Sequence, residues 1–122
     1  MLLGDPLMKN LFFDTETSGL PRNYKAHYSD IENWPRIVQL AWLIADDNGN
    51  ILSESDNIIK VDFEIPEEVS LIHGITNAIA EEKGLPIHQV LQSFLNDLEK
   101  SDRIICHSVA FDLPVSSVWD LF

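Results

Sequence analysis

Basic residues are scarce in this chain. Lys and Arg number 8 against 20 Asp and Glu, a formal charge of −12 over 122 residues. Proteins that hold long nucleic acids without sequence preference draw affinity from Lys and Arg on phosphates. The balance therefore argues mildly against a nucleic-acid partner gripped by side chains alone. It leaves room for an enzyme that meets phosphate through bound cations, which are the largest local charges in such sites. Cysteine occurs once, as Cys106, so no internal disulfide can form. Its setting, Ile104-Ile105-Cys106, predicts a buried thiol. No apolar run approaches the roughly 18 residues of a membrane span. The start, Met1 to Leu7, has neither the basic segment nor the apolar core of a secretory signal. A cytoplasmic protein with no membrane partner is expected. Repeats and low-complexity linkers are absent too, and the length suits a single domain covering 1–122.

What is there is ordinary core-forming material, 45% of it apolar, enough to bury one core. Leu11-Phe12-Phe13 leading into Asp14-Thr15-Glu16-Thr17 predicts a first strand. Ser18-Gly19-Leu20-Pro21 breaks it. Residues 21–36 are polar with scattered aromatics and predict a long surface loop. From Ile37 to Ala45 both parities are apolar, which predicts a central strand covered on both faces. Asp46-Asp47-Asn48-Gly49-Asn50 is a hairpin signal, and Ile51 to Val61 would return as a partly exposed strand. Pro66 opens a short helix that Gly74 ends, and Thr76 caps another that stops at Gly84. Ile87, Val90, Leu91, Phe94, Leu95 and Leu98 share one helical face. Arg103 to Cys106 predicts a buried strand, with the preceding helix as the crossover of a parallel pair. Pro114, Val115, Val118, Trp119 and Phe122 predict a last amphipathic helix.

Asp14 and Glu16 stand two apart on a strand, so both carboxylates leave one face. Two such acids repel unless a cation lies between them, and oxygen donors of this kind suit Mg²⁺ or Mn²⁺. The plainer alternative is a pair of solvated acids, since acids are plentiful here. Asp112 follows a strand and opens a helix, so it is either a third ligand or a helix cap. His73, before Gly74, is explained structurally as a cation at a helix end. His107 is read as structural, and His27 and His88 are assigned no role. Were the strands at 11 and 103 parallel neighbours, their carboxyl ends would gather Asp14, Glu16 and Asp112 at one sheet edge, where open α/β sheets place their sites.

These segments resemble the motifs of a known family. Phe13-Asp14-Thr15-Glu16-Thr17-Ser18-Gly19-Leu20 is similar to the first motif of the DEDD superfamily of 3′–5′ exonucleases, which includes the proofreading epsilon subunit of bacterial DNA polymerase III. His73-Gly74-Ile75-Thr76 looks like the family's His-Gly-Ile segment, and His107-Ser108-Val109-Ala110-Phe111-Asp112 resembles the second motif, with Ser108 where asparagine is usual. The resemblance covers residues 9 to about 113 and implies an α/β, ribonuclease H-like mixed sheet with flanking helices. It implies hydrolysis of the terminal phosphodiester with two divalent ions, Mg²⁺ or Mn²⁺, and release of nucleoside monophosphates. Asp14 would bridge both ions, Glu16 would bind one and Asp112 the other. Thr15, Thr17, Leu20, His73 and Phe111 would cradle the terminal nucleotide, with core packing the alternative for Leu20 and Phe111. The implied partners are a single-stranded 3′ end of DNA or RNA and a polymerase subunit.

The family's third motif, a fourth carboxylate with a His or Tyr base, has no counterpart. No histidine follows His107, and the one later acid, Asp120, would lie about 12 Å further along a helix than Asp112. The expectation is a C-terminally incomplete exonuclease domain of impaired activity. The alternative is a non-catalytic module, built on the same fold, that binds a nucleic-acid end or a protein.

Overall fold

The computed structural model describes residues 7–30, 32–106 and 115. The predicted elements form within two or three residues of their expected limits. Strands β1 (Lys9–Thr17), β2 (Ile37–Asp46) and β3 (Ile51–Ile58) are followed by helices α1 (Glu67–His73), α2 (Asn77–Lys83) and α3 (Ile87–Glu99), then strand β4 (Arg103–Cys106). The sheet order is β3-β2-β1-β4. β1 pairs antiparallel with β2 and parallel with β4, with Phe13 opposite both Trp42 and Cys106. The α/β class is thus met, with α3 as the crossover between parallel strands.

Alternation along β1 builds the core. Leu11, Phe13, Thr15 and Thr17 are buried, whereas Phe12 and Asp14 are exposed on the opposite face. Leu11 and Phe13 join Leu40, Trp42 and Ile44 of β2 under Val90, Leu91 and Phe94 of α3. Phe94 wedges between two aromatic neighbours, 5.2 Å from Phe13 and 5.1 Å from Trp42 by ring centroids. Each such side chain, fully buried, contributes about 1.5–3 kcal/mol. Trp42 also donates its indole N–H to Asp97 at 2.7 Å, and Ser53 donates to the same oxygen at 3.2 Å. One carboxylate on α3 therefore ties the helix to β2 and β3. Val115, helical and fully buried, packs into this cluster; the rest of the predicted last helix lies outside the described residues.

A second cluster sits around Val38, with Ile65, Ile75 and Ala80. The two clusters meet at a register shift between Glu16 and Thr17, where Ile37 follows Gln39 as the partner and Val38 is the extra residue. This bulge lets Ile37 and Val38 both be fully buried, one in each cluster. It accounts for the two-parity apolar pattern of this segment. Gly84 closes the second cluster. A side chain there would collide with the Ala80 carbonyl and the Lys60 backbone, where the Leu85 carbonyl accepts from the Lys60 amide and the Leu85 amide donates to the Ile58 carbonyl at the end of β3.

Several expectations change. β4 lies at the sheet edge, and Arg103, Ile104 and Ile105 are exposed rather than buried. Cys106 is half-buried for the same reason, since one flank of its strand has no neighbour among the described residues. Leu95 is 42% exposed, because the α3 stripe is centred on Val90, Leu91 and Phe94. The face of β2 bearing Gln39, Ala41 and Leu43 is half-buried rather than fully covered. The 21–36 loop is a surface loop only in part. Trp34 is buried in the core and donates to the His27 carbonyl, and Asn33 is held by two hydrogen bonds with Asn23. Pro66 precedes α1 as its cap residue rather than standing in its first turn. No helix among the described residues is long and apolar enough to cross a membrane.

Asp97→Ala should destabilise the fold by about 1–3 kcal/mol, because it leaves the buried Trp42 indole N–H without its acceptor. Urea unfolding with an unchanged midpoint would contradict this. At the hairpin, Asp46 is held below its ordinary value of 3.8, first by the Asn50 side chain and then by its backbone N–H. Asp47 is lowered likewise, first by the Asn10 side chain and then by the Met8 amide. These bonds stabilise the fold fully above about pH 3.8 and are lost as pH falls through the depressed folded values. Amide exchange at Asn48 and Asn50 should therefore accelerate below that pH, beyond the intrinsic pH dependence of exchange and ahead of β1. Protection that follows β1 throughout would oppose this account.

Candidate functional site

The bulge and the Ser18-Gly19 break end β1 abruptly, and side chains gather where it ends. The Thr17 hydroxyl donates to the Gly19 carbonyl at 2.7 Å. Ser18 is clamped to Arg36 twice: its amide donates to the Arg36 carbonyl at 2.9 Å, and its hydroxyl accepts from the Arg36 amide at 3.0 Å. These bonds fold the chain back and turn Leu20 outward, 75% exposed. Core packing therefore does not account for Leu20.

α1 crosses this end of β1. It has no buried residue of its own, so something other than apolar packing must hold it there. His73 does so. Its Nδ1 accepts the Ile75 amide at 3.1 Å, and its Nε2 lies 3.1 Å from the Thr17 carbonyl. These partners assign the tautomer protonated on Nε2, with that N–H donating to Thr17. In this arrangement His73 accepts on one ring nitrogen and donates from the other, so it is not the cation at a helix end that the sequence suggested. It is a two-sided tether from α1 to the last residue of β1. Gly74 supplies the left-handed turn, φ 77°, that brings Ile75 back onto the ring.

Between α1 and the end of β1 lies a cleft of about 500 Å³ lined by Thr15, Glu16, Thr17, Leu20 and His73, with Ile72 of α1 opposite. Five of the eight sequence-predicted site residues thus come together here. Sequence reasoning missed Ile72, which is 84% exposed. Its position immediately before the His73-Gly74-Ile75 segment was the available signal. Asp14 shares its strand face with Glu16, their α-carbons about 6.6–6.8 Å apart. It opens onto a different hollow, of about 530 Å³, with Ala41, Leu43, Glu54 and Asp56. Phe111 and Asp112 lie outside the described residues. β4 ends at Cys106, opposite Phe13 and one step before Asp14. No group of three or more His, Cys, Asp or Glu able to hold a metal occurs among the described residues.

A mixed sheet of this order, crossed by one long helix and edged by strand-end acids, is a ribonuclease H-like α/β fold. Solved structures share it. That of E. coli exonuclease I with a dT13 oligonucleotide superposes with a TM-score of 0.71 at 24% identity, over 89% of this chain and 22% of that one. A product-bound exonuclease I gives 0.72 at 23% identity, over 91% and 24%. A moderately thermophilic exonuclease I from Methylocaldum szegediense gives 0.70 at 22%, over 88% and 22%. The chain thus spans less than a quarter of the length of these proteins. No curated protein sequence matches it. Residues 11–121 match the RNase_T family, described as exonuclease, and the chain belongs to that family.

His73→Ala should leave the Ile75 amide without its acceptor and release α1 from Thr17, at a cost of about 1–3 kcal/mol. In thermal unfolding this is about 4 °C for each kcal/mol. An unchanged Tm would mean that the tether carries no stability.

Proposed function

We propose that this chain, as a single exonuclease-like domain over residues 1–122, works in a two-metal 3′–5′ exonuclease of the DEDD type. It would shorten a single-stranded 3′ end of DNA or RNA and release nucleoside monophosphates. One observation carries the reading. The parallel pairing of β1 with β4 ends one step before Asp14, and Asp14 and Glu16 project side by side there, next to the cleft that His73 shapes. Family membership supports it, as does the oligonucleotide present in the E. coli exonuclease I structure.

The donor set fits a hard divalent cation. Both carboxylates leave one strand face, and oxygen ligands at such spacing favour Mg²⁺ or Mn²⁺. Asp14 and Glu16 would hold the ions together with Asp112. When bound, the ions supply Lewis-acid stabilisation of the charge that develops on the scissile phosphate. The protein's own part is positioning. Leu20 offers an exposed apolar surface to the terminal base, with Ile72 facing it across the cleft. The Thr17 hydroxyl is committed to the Gly19 carbonyl, and both ring nitrogens of His73 to backbone partners. These groups therefore shape the pocket rather than exchange protons. Phe111 would complete the cradle.

The test is nucleotide release from a labelled single strand in Mn²⁺. The chain should shorten the strand from its 3′ end, slowly for want of a fourth carboxylate and a base, and Asp14→Ala should reduce the remaining release by about 10²-fold or more. Equal release by wild type and variant would refute the assignment. Binding of the strand without release would favour the non-catalytic alternative.

A further inference from the structure

A strand whose end sits in the cleft must leave it, and among the described residues two hollows lie beside it. The first runs over the sheet face beside Asp14, whose hollow is rimmed by Glu54 and Asp56 and contains no Lys or Arg. Beyond the cations proposed at Asp14, the charged groups that line it are the carboxylates of Glu54 and Asp56. The second passes Ser18, Gly19 and Leu20, which the cleft shares with a neighbouring hollow of about 350 Å³ bearing Arg22 and Arg36. Arg36 in turn borders a third hollow, of about 510 Å³, with Lys60, Phe63 and His88. Three of only eight Lys and Arg in the chain line this second route.

The route also has an aromatic element. The Arg36 guanidinium carbon lies 5.3 Å from the Phe63 ring centroid, which holds the cation against an apolar surface. Unstacked bases are received on aromatic rings and guanidinium planes of this kind. Carboxylates stand on this route too, Glu32 in the hollow with Arg22 and Arg36 and Glu68 in the cleft, but the ion pairs that hold Arg36 and Lys60 are weak competitors. Asp62 is 88% exposed and 4.0 Å from Arg36, and Lys60 meets exposed Glu81 at 3.6 Å. Such solvated pairs yield readily to a phosphate.

We infer that the nucleotides preceding the terminal one lie along this second route, with Arg22, Arg36 and Lys60 on their phosphates and the Arg36–Phe63 pair as a stacking surface. This rests on the exonuclease reading of the cleft and adds to it a binding path for the strand. The experiment compares 5′-labelled, phosphorothioate-linked octanucleotides and dinucleotides by fluorescence anisotropy, in deoxy and ribo series, with Mn²⁺ present. The double variant Arg36→Gln, Lys60→Gln should weaken octamer binding about tenfold. It should also lower the slope of log affinity against log salt by about 0.7 for each lost contact. Dinucleotide affinity should not change. Lys60→Gln alone, on an exposed side chain, should give part of the effect with unaltered thermal stability, and Lys83→Gln, off the route, should give none. A loss confined to one sugar series would support the route and identify its strand. An octamer insensitive to these changes, or a dinucleotide weakened as much as the octamer, would overturn the path alone. A wild-type chain that binds neither length would remove the cleft reading with it.

Discussion

The register of β1 governs everything else in this molecule. Hydrogen-bonded on one side to β2 and on the other to β4, β1 cannot slide without breaking both ladders. Its pleat sends Leu11, Phe13, Thr15 and Thr17 into the interior and Phe12, Asp14 and Glu16 to the opposite face. A slip of one residue would exchange the two sets. Asp14 and Glu16 would then lie beneath α3 against Phe94, where burial of an uncompensated carboxylate costs far more than any strand contact returns. Apolar burial and the placement of the acids are therefore one constraint. Core packing holds the carboxylates outward, side by side, at the carboxyl end of the strand.

The end of β1 is defined as firmly as its register. The bulge at Val38 rotates the start of β2, so that Ile37 and Val38 serve separate clusters. The second cluster is what brings the α1–α2 segment back over the sheet. Among the described residues, Ile65, Ile75 and Ala80 anchor that segment by burial, with Ile79 partly buried beside them, whereas α1 has no buried residue. His73 supplies the remaining attachment through two hydrogen bonds to backbone. The cleft is thus a gap between a strand end and a helix held off it by one imidazole. That geometry explains why Leu71 and Ile72 remain exposed on α1.

Much of this was legible in the sequence, and the exceptions have physical causes. Element order, the hairpin, the Thr76 cap and the Gly74 stop follow from local chemistry, because turn and cap residues act within a few positions. The pairing of Asp14 with Glu16 on one face follows from strand periodicity. The burial of β4 was misjudged because an apolar tetrapeptide looks the same at a sheet's edge and at its centre. Only strand order separates the two, and strand order is a long-range property. Trp34 escaped notice because its partners, the His27 carbonyl and the core, become neighbours only when the loop closes. His73 was read as a charge at a helix end because its acceptor, the Thr17 carbonyl, lies 56 residues away.

Net charge bears on the proposed partner only through where the charges stand. A charge of −12 argued mildly against a phosphate-bearing partner, but formal charge takes no account of where the cations stand. Arg103 is bound to Asp47 at 3.0 Å and Lys100 faces Asp97 at 3.9 Å, both toward the amino end of β1. Those cations stand at the other end of the strand from the cleft. Arg22, Arg36 and Lys60 lie instead beside the hollows that continue from the cleft. The screening length is about 8 Å at physiological ionic strength, so a phosphate near Arg36 responds mainly to its immediate neighbours. The many solvated acids elsewhere on the surface scarcely reach it. They do act on the open sheet face, where Asp14, Glu54 and Asp56 stand together. Away from the cations proposed at Asp14, repulsion by Glu54 and Asp56 would disfavour a polyanion on that face, so the inferred path along Arg22, Arg36 and Lys60 is compatible with an acidic chain.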